Sequence, residues 1–383
     1  MFAKRVRSRL KEQQESGLYR NPPVIEQSSG KYVQINGNWL INFASNDYLG
    51  LGSDPELAEK MADKFQRYGS SSSSSRLVSG NLEIIKKAEK AFADYFGYQS
   101  ALFYPSGFQC NLGLVGTLFE QGDKVFFDKH IHSSLVKGLQ LSGADYYGYR
   151  HNRTSHLQTR LQKHLHESAG IVTESLFSMD GDLLDTQGLA ELKQEFDLFT
   201  IVDEAHAFGV LGDKGTGIAR PVADIAVGTF GKALGLFGAF VLLPKDFREY
   251  LLNFSSPLIY TTSLPPAQAA AALDILEFIR GSEQGREHLL QISKEMKQKL
   301  SAEGFRVGGD AHILSILIGP EETASRVSRE LFNLGFFAFP ARFPTVPLNR
   351  SILRISLTSM HDRSDVTNFL HSLKEAYARI QAA

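Results

Sequence analysis

The sequence predicts an α/β protein, with a large domain on a mostly parallel sheet followed by a smaller C-terminal α+β domain. From about residue 100, short apolar runs alternate with helix-like stretches, which is typical of a parallel sheet with helices on both faces. After Pro244 this alternation stops, and two long helical patterns are followed by strand, helix, strand and helix.

The 383-residue chain is long enough for a large core and about two domains. We predict an N-terminal helix and hairpin segment over residues 1–45 and a large domain over 46–255. The small C-terminal domain, with its connecting helices, is predicted over 256–383.

The N-terminal segment is predicted to hold one helix and one hairpin. Phe2, Val6 and Leu10 recur at a spacing of four in a charged stretch, which indicates an amphipathic helix over residues 1–16. Asn36-Gly37 stands between two apolar runs, and this dipeptide is a strong signal for a hairpin turn.

Six short apolar runs predict the strands of the large domain. They are residues 101–104, 125–127, 171–173, 199–202, 225–227 and 240–243. Helical patterns over 54–67 and 81–96 precede them and flank six consecutive serines, Ser70 to Ser75. The serines are typical either of a flexible linker or of a loop that lines a site.

The small domain is predicted from a second set of patterns. These are two helices within residues 265–303, a strand over 313–318, a helix over 321–334, a strand over 352–357 and a helix over 365–381.

Composition excludes several classes of protein. The formal net charge of −1 gives no general attraction to nucleic acid or to an anionic membrane. A single cysteine, Cys110, excludes an intrachain disulfide framework and a multi-cysteine metal site. The basic N-terminal residues are followed by no apolar stretch, and no run reaches the ~20 apolar residues of a membrane span. We therefore expect a cytoplasmic protein.

Three polar motifs each follow a predicted strand. They are Tyr104 to Phe108, Asp203 to His206, and Thr229 to Lys232. Ligands of parallel sheets gather at the carboxyl ends of the strands, so the three motifs predict one site at that edge.

Lys232 lies among small residues after an apolar run. Burial disfavours the ammonium form of lysine, lowers its pKa and frees the amine to attack carbonyls, as pyridoxal phosphate chemistry requires. The alternative is a lysine at a strand end with its ammonium group in water.

Asp203 and Gly107 admit two interpretations each. A strand-end carboxylate either holds a cationic ring nitrogen or pairs with a surface base. The Asp-Glu-Ala-His string also occurs in helicases, but the sequence lacks the G-x-x-x-x-G-K-[ST] loop that they need. The amides of Gly107 and Phe108 begin a helical stretch, where they either bind phosphate or form an ordinary capped helix.

His132 and Arg354 are two further candidates. His132 has no acidic or cysteine partner at metal-ligand spacing, so we predict no metal and consider a ring that stacks on a flat cofactor. Arg354 lies inside an apolar strand pattern, where its guanidinium needs either a substrate carboxylate or an internal ion pair.

With these motifs, the chain resembles the pyridoxal-phosphate-dependent α-oxoamine synthases. Matching stretches run from Asn42–Leu51 to the C-terminal helix and include Thr173–Asp182, Asp203–His206 and Thr229–Lys232. The resemblance implies a fold type I, aspartate aminotransferase-like large domain with pyridoxal 5'-phosphate as cofactor. It also implies a homodimer whose active site is shared between subunits.

The resemblance assigns five residues to the cofactor ring. Lys232 would hold the cofactor as a Schiff base, Asp203 would pair with the pyridine nitrogen, and His206 would contact the ring hydroxyl. His132 would stack on the ring, and Ser178 would lie beside it.

The remaining implied roles concern the phosphate and the substrates. Gly107, Phe108 and Thr229 would hold the phosphate, and Thr262 would reach the phosphate of the neighbouring subunit. Asn46 would lie near the amino acid and Arg354 would take its carboxylate, while Arg20 and Thr345 would flank the acyl substrate.

The implied reaction is an acyl transfer in biotin biosynthesis. L-Alanine would condense with a pimeloyl thioester of CoA or a carrier protein, giving 8-amino-7-oxononanoate, CO2 and the free thiol. Leu258–Pro266 and Phe343–Pro347 favour this branch of the family.

Two alternatives stay open. One is a sister reaction, of the 2-amino-3-ketobutyrate CoA ligase, 5-aminolevulinate synthase, serine palmitoyltransferase or aminoketone signal synthase type. The other is a silent paralogue that binds partners, but such a paralogue would be expected to lose the lysine, and Lys232 is present.

Overall fold

The computed structural model describes residues 1–165 and 167–381. Over these residues the helices are α1 (Phe2–Glu15), α2 (Pro55–Tyr68), α3 (Glu83–Phe96), α4 (Gly107–Leu118), α5 (Ser133–Ser142), α6 (Thr154–His164), α7 (Thr186–Glu195), α8 (Lys245–Phe254), α9 (Ser256–Ile259), α10 (Pro266–Gly281), α11 (Glu283–Ala302), α12 (Glu321–Asn333) and α13 (Arg363–Gln381).

The strands over the same residues are β1 (Gln27–Ser29), β2 (Tyr32–Ile35), β3 (Asn38–Asn42), β4 (Ser100–Tyr104), β5 (Lys124–Asp128), β6 (Asp145–Tyr149), β7 (Ser168–Glu174), β8 (Asp197–Asp203), β9 (Ile225–Thr229), β10 (Ala239–Leu243), β11 (Val307–Gly308), β12 (Ile313–Gly319), β13 (Phe336–Phe337), β14 (Phe339–Ala341) and β15 (Ser351–Ser356).

The chain forms two compact units. The larger comprises Leu49–Ser178 and Leu183–Arg286, and the smaller comprises residues 1–48, 179–182 and 287–381. The predicted domain bounds, 1–45, 46–255 and 256–383, stay a prediction.

The larger unit is built on a seven-stranded sheet in the order β4-β10-β9-β8-β7-β5-β6. Strand β10 runs antiparallel to β4 and β9, whereas β9, β8, β7, β5 and β6 pair in parallel. The mostly parallel sheet of the predicted fold class is therefore confirmed.

Successive strand residues point to opposite sides of this sheet, and both sides are covered by helices and buried. Val125 and Val172 pack on one face with Leu114 of α4 and Leu135 of α5. On the other face lies a separate cluster that includes Phe126, Ile171, Leu157 of α6 and Leu189 of α7. This double covering explains why the strands are near-continuous apolar runs in the sequence.

The smaller unit contains two four-stranded sheets, ordered β1-β2-β3-β13 and β11-β12-β15-β14. The predicted hairpin is present: β2 pairs antiparallel with β3, and Asn36 and Gly37 both have positive φ, 50° and 76°. Two consecutive left-handed residues are what a tight turn matching the strand twist requires.

Most predicted elements are observed, and those that were missed have short or weak patterns. The missed strands include β6, whose sequence Asp-Tyr-Tyr-Gly-Tyr is aromatic and largely polar, and β11, β13 and β14, which are two or three residues long. Among the described residues, no helix is long and apolar enough to cross a membrane.

Candidate active site

A cavity of about 170 Å³ lies in the larger unit, at the carboxyl edge of the seven-stranded sheet. It is lined by Gly107, Phe108, Asn111, His132, Glu174, Ser178, Asp203, Ala205, His206, Thr229 and Lys232. The predicted cofactor-binding residues are thus brought together in one chain, with Thr262 as the exception among them.

Lys232 is held in this cavity by a short loop that connects two sheet neighbours, β9 and β10. The loop is closed by backbone hydrogen bonds from Phe230 N to Gly238 O (2.9 Å) and from Leu236 N to Phe230 O (2.9 Å). Its Gly235 has φ +66°, and a Cβ there would lie 2.6 Å from the backbone nitrogen of Gly52. Only glycine therefore fits, and the lysine backbone is fixed on both sides.

The amine of Lys232 faces an imidazole. Its Nζ lies 2.6 Å from Nε2 of His206, and the lysine side chain is half-buried. The amine thus lies against an imidazole and lines the cavity. An imidazole at this distance can accept a proton from the amine or return one to it.

Asp203 ends β8 and points into the cavity. One carboxylate oxygen accepts a hydrogen bond from Nδ2 of Asn111 (2.7 Å), and the other accepts one from the backbone nitrogen of Ala205 (2.9 Å). The neighbouring Glu204 has a structural role, since its carboxylate accepts bonds from the backbone nitrogens of Ile218 and Ala219. Burial raises the pKa of Glu204 to about 7.

His132 is the N-cap residue of α5, and its own imidazole makes the cap. Nδ1 accepts a hydrogen bond from the backbone nitrogen of Ser134 (3.3 Å) and lies 2.7 Å from the Ser134 hydroxyl. Burial lowers the pKa of this imidazole, Asp203 opposes that shift, and Lys232 adds to it. The ring edge of Phe108 approaches the imidazole, with 6.4 Å between centroids.

Glu174 is a lining residue to which the sequence analysis gave no role. It ends β7 directly beside the end of β8, is 2 % exposed, and accepts a hydrogen bond from the backbone nitrogen of His132. Burial, together with the nearby Asp203 carboxylate, raises its pKa to about 8. Its position after an apolar strand, at the same edge as Asp203, is a signal that could have identified it.

Asn111 is a second lining residue that was missed. It lies four residues after Gly107, so both fall on the same face of α4. That spacing could have placed it beside the predicted phosphate site.

The opposite end of the cavity is formed by the N-terminus of α4 and by Thr229. Ser106 caps the helix through a bond from the backbone nitrogen of Gln109 to its hydroxyl oxygen (3.2 Å). A Cβ built on Gly107 would still be 3.9 Å from Thr229, so this end keeps room for a group. The Thr229 hydroxyl donates to the carbonyl of Gly238 (3.0 Å) and accepts from the Gly231 backbone (3.2 Å).

Thr262 lies on a different part of the larger unit, beside the serine run. It forms a bridge with Ser75, and Ser263 donates its backbone hydrogen to the carbonyl of Ser74 (3.0 Å). A buried ion pair between Arg76 and Glu89 anchors the residues that follow the serines. The serine run is thus a bonded loop rather than a free linker.

The predicted amino-acid site lies in the smaller unit. Arg354 of β15 is 5 % exposed and donates to the hydroxyl of Ser356 (2.6 Å) and to Oδ1 of Asn46 (3.1 Å). The phenol of Tyr48 donates to the same Asn46 oxygen (3.0 Å), and burial raises the pKa of Tyr48 to about 12. Arg20 and Thr345, the predicted acyl-side residues, are exposed on this unit.

The cavity fits pyridoxal phosphate on its own chemistry. It offers an amine within reach of carbonyl chemistry, a buried carboxylate for a cationic nitrogen, an imidazole for ring stacking, and helix-terminal amides for a phosphate. Lys232, Asp203 and His132 would hold the ring, and Gly107 and Phe108 would hold the phosphate.

This fold and this set of side chains define a pyridoxal-phosphate-dependent enzyme. The chain belongs to the aminotransferase class I and II family, whose model matches residues 39–373.

Two relatives and two solved structures show what the chain is similar to. A putative 8-amino-7-oxononanoate synthase of Bacillus cereus is 37 % identical and covers 96 % of this chain and 95 % of its own length. The 8-amino-7-oxononanoate synthase of Chlorobaculum parvum is 37 % identical over 92 % and 93 % of the two chains.

Serine palmitoyltransferase of S. paucimobilis superposes with a TM-score of 0.91 at 27 % identity, covering 99 % and 98 % of the two chains. The 8-amino-7-oxononanoate synthase of Francisella tularensis gives a TM-score of 0.77 at 30 % identity, covering 90 % and 99 %. The predicted fold type is confirmed by these matches.

Proposed function

We propose that the protein condenses L-alanine with a pimeloyl thioester, releasing CO2 and the thiol of CoA or of a carrier protein and forming 8-amino-7-oxononanoate. The observation that carries this proposal is the convergence of Lys232, Asp203, His132 and His206 on one cavity. The names of the relatives at 37 % identity support the choice of substrates.

Lys232 has two roles in this proposal. It would hold the cofactor covalently through Nζ, and its free amine would be the base that removes the α-proton of the amino acid. His206, 2.6 Å from Nζ, is placed to keep the amine in its unprotonated form by taking up that proton.

Asp203 would act at the nitrogen of the bound ring, and His132 would lie on one of its faces. When bound, pyridoxal phosphate supplies an electron sink for the charge released at the α-carbon. Asp203, oriented by Asn111 and Ala205, favours the protonated form of a ring nitrogen. His132, which lines the cavity, would cover one face of the ring and exclude water from it.

The bonds that change follow from the substrates. The α-carbon of alanine forms a bond to the thioester carbonyl carbon, the carbon–sulfur bond breaks, and the thiolate leaves and is protonated. The carboxylate then departs as CO2, and the same carbon takes a proton back. Arg354 and Asn46 are proposed to bind the amino-acid carboxylate, and Arg20 and Thr345 to contact the acyl chain.

A sister reaction is the second candidate, and one observation favours it. Serine palmitoyltransferase structures superpose more closely, with TM-scores of 0.91 and 0.92, than the 0.77 of the Francisella structure. The sequence identities of 26–27 % are nevertheless below the 37 % of the relatives named 8-amino-7-oxononanoate synthase.

A thiol-release assay over a panel of substrates separates these candidates. We expect the highest kcat/KM with L-alanine and a pimeloyl thioester, and 8-amino-7-oxononanoate as the product by mass spectrometry. Preference for glycine or serine would overturn the proposed substrate and leave the enzyme class intact. Lys232→Ala is the matched control for thiol release that does not depend on the site.

We also propose a homodimer in which Thr262 contributes to the partner's phosphate site. A groove of about 320 Å³ on the larger unit has a mixed polar and apolar lining that includes Leu141 and Phe254. These side chains are 66 % and 61 % exposed, and Tyr260, two residues before Thr262, is 79 % exposed. Exposed apolar side chains of this size mark an interaction surface and support the proposal.

A further inference from the structure

A chain of hydrogen bonds connects the two side chains that would lie on the ring and at its nitrogen, His132 and Asp203. Nδ2 of Asn111 lies 2.7 Å from Oδ2 of Asp203 and 3.0 Å from Oγ of Ser134. The same Ser134 oxygen lies 2.7 Å from Nδ1 of His132. Three bonds therefore join the carboxylate to the imidazole.

Packing of α4 against α5 brings these hydrogen-bonding side chains together. Asn111 lies on α4, and His132 and Ser134 lie at the start of α5. A Cβ on Gly138 of α5 would be only 2.7 Å from Cβ of Val115 on α4. The glycine thus permits the close approach of the two helices that the hydrogen bonds require.

Two groups fix the directions of these hydrogen bonds because each can act in one way only: the Asp203 carboxylate accepts, and the Ser134 backbone N–H donates. The carboxylate of Asp203 accepts, so the amide of Asn111 must present its NH2 group, and that group has two hydrogens for two acceptors. In this orientation the amide oxygen of Asn111 is buried and has no hydrogen-bond partner among residues 1–165 and 167–381. Because the Ser134 oxygen accepts from Asn111, its own hydrogen is available for His132.

Nδ1 of His132 therefore meets two donors. One is the hydroxyl of Ser134, and the other is the Ser134 backbone N–H at 3.3 Å. A proton on Nδ1 would face both, so the imidazole carries its proton on Nε2. Asn111 and Ser134 are 2 % and 0 % exposed, which leaves little access for water to replace either bond.

We propose that Asn111 and Ser134 are positioning residues that hold His132 as the Nε2–H tautomer and fix the Asp203 carboxylate in the same hydrogen-bonded chain. His132 then offers the cavity a hydrogen-bond donor and not a base, which leaves Lys232 and His206 to move the α-proton. The choice of tautomer is independent of the proposed function, and only the identity of the groups that His132 and Asp203 meet rests on it.

Nitrogen NMR of histidine-labelled protein tests the tautomer directly, with and without pyridoxal phosphate. The His132 signals are assigned by their loss in His132→Asn. We expect Nδ1 to be unprotonated at neutral pH, and an Nδ1–H signal in the wild type would overturn the proposal. In Ser134→Ala we expect a detectable Nδ1–H population, whereas Ser133→Ala, an exposed neighbour on the same helix, is expected to match the wild type.

Cofactor affinity provides a second readout that needs no substrate. Asn111→Ala removes a hydrogen-bond donor to the buried Asp203 carboxylate. Because loss of such a bond costs free energy, we expect Kd for pyridoxal phosphate to rise about ten- to a hundredfold. Ser134→Thr, which keeps the hydroxyl, should restore the tautomer and an affinity near that of the wild type. An unchanged tautomer in Ser134→Ala together with an unchanged Kd in Asn111→Ala would refute the positioning role. If these readouts hold and the substrate panel fails, the proposed function alone is overturned.

Discussion

Replacement of the buried carboxylate Glu174 by glutamine is expected to change how stability depends on pH. The folded protein holds the pKa of Glu174 at about 8, above its ordinary value of 4.5, because of burial and the nearby Asp203 carboxylate. Between these two pH values the folded chain keeps a proton that the unfolded chain releases. The contribution of Glu174 to stability is therefore fully present below the lower value and is lost as pH rises toward the higher one.

The magnitude follows from the size of the shift. A difference of 8 − 4.5 units at about 1.4 kcal/mol per unit amounts to about 5 kcal/mol by the time both states are ionised. Glutamine has the same shape and still accepts from the backbone nitrogen of His132, but it cannot ionise. We expect the gain in unfolding free energy of Glu174→Gln over the wild type to be small near pH 5 and to reach several kcal/mol near pH 8.

Urea denaturation followed by circular dichroism, at a series of pH values between about 5 and 9, measures this difference. Cofactor-free protein is used so that cofactor binding does not contribute to stability. Glu120→Gln, at an exposed position, is the matched control and should show no trend with pH. If the difference in unfolding free energy between Glu174→Gln and the wild type stays constant over this pH range, the pKa of Glu174 is not raised by burial.

Two more predictions concern the covalent and substrate roles. Borohydride treatment of the cofactor-loaded protein should leave a stable label on Lys232, as read by peptide mass spectrometry, and Lys232→Ala should carry none; label on another lysine would contradict the assignment. Arg354→Gln removes a buried guanidinium, so KM for L-alanine should rise about ten- to a hundredfold with little change in KM for the thioester. A comparable rise in both values would argue against a carboxylate-binding role.

The large sheet could be predicted from the sequence because burial on both faces produces apolar runs of strand length. The same reasoning missed β6, whose residues are polar or aromatic and partly exposed at the sheet edge. The short strands of the smaller unit were missed because two or three residues show no periodicity. One of them, β13, also depends on a partner distant in sequence, β3.

The candidate site was predicted where a strand end coincides with a reactive side chain, as at Lys232 and Asp203. Asn111 and Glu174 were not predicted as site residues. The helical spacing from Gly107 and the strand end at Glu174 indicate the edge of the sheet, but not the contacts that these two side chains make. Their importance depends on the distance between α4 and α5 and on the register of β7 with β8, neither of which is local. The substrate roles of Arg20, Asn46, Thr345 and Arg354 stay predictions.

Nδ1 of His132 caps the first turn of α5. In the tautomer proposed above, the bonds to this nitrogen also place the imidazole proton on Nε2. The helix cap and the proposed orientation of the imidazole therefore depend on one atom, so His132→Ala would remove both at once and could not separate their effects. Asparagine at this position separates the two, because it keeps an acceptor for the helix and discards the aromatic ring. In related proteins that no longer bind the cofactor, we therefore expect asparagine, aspartate or serine at the position of His132, rather than an aliphatic residue.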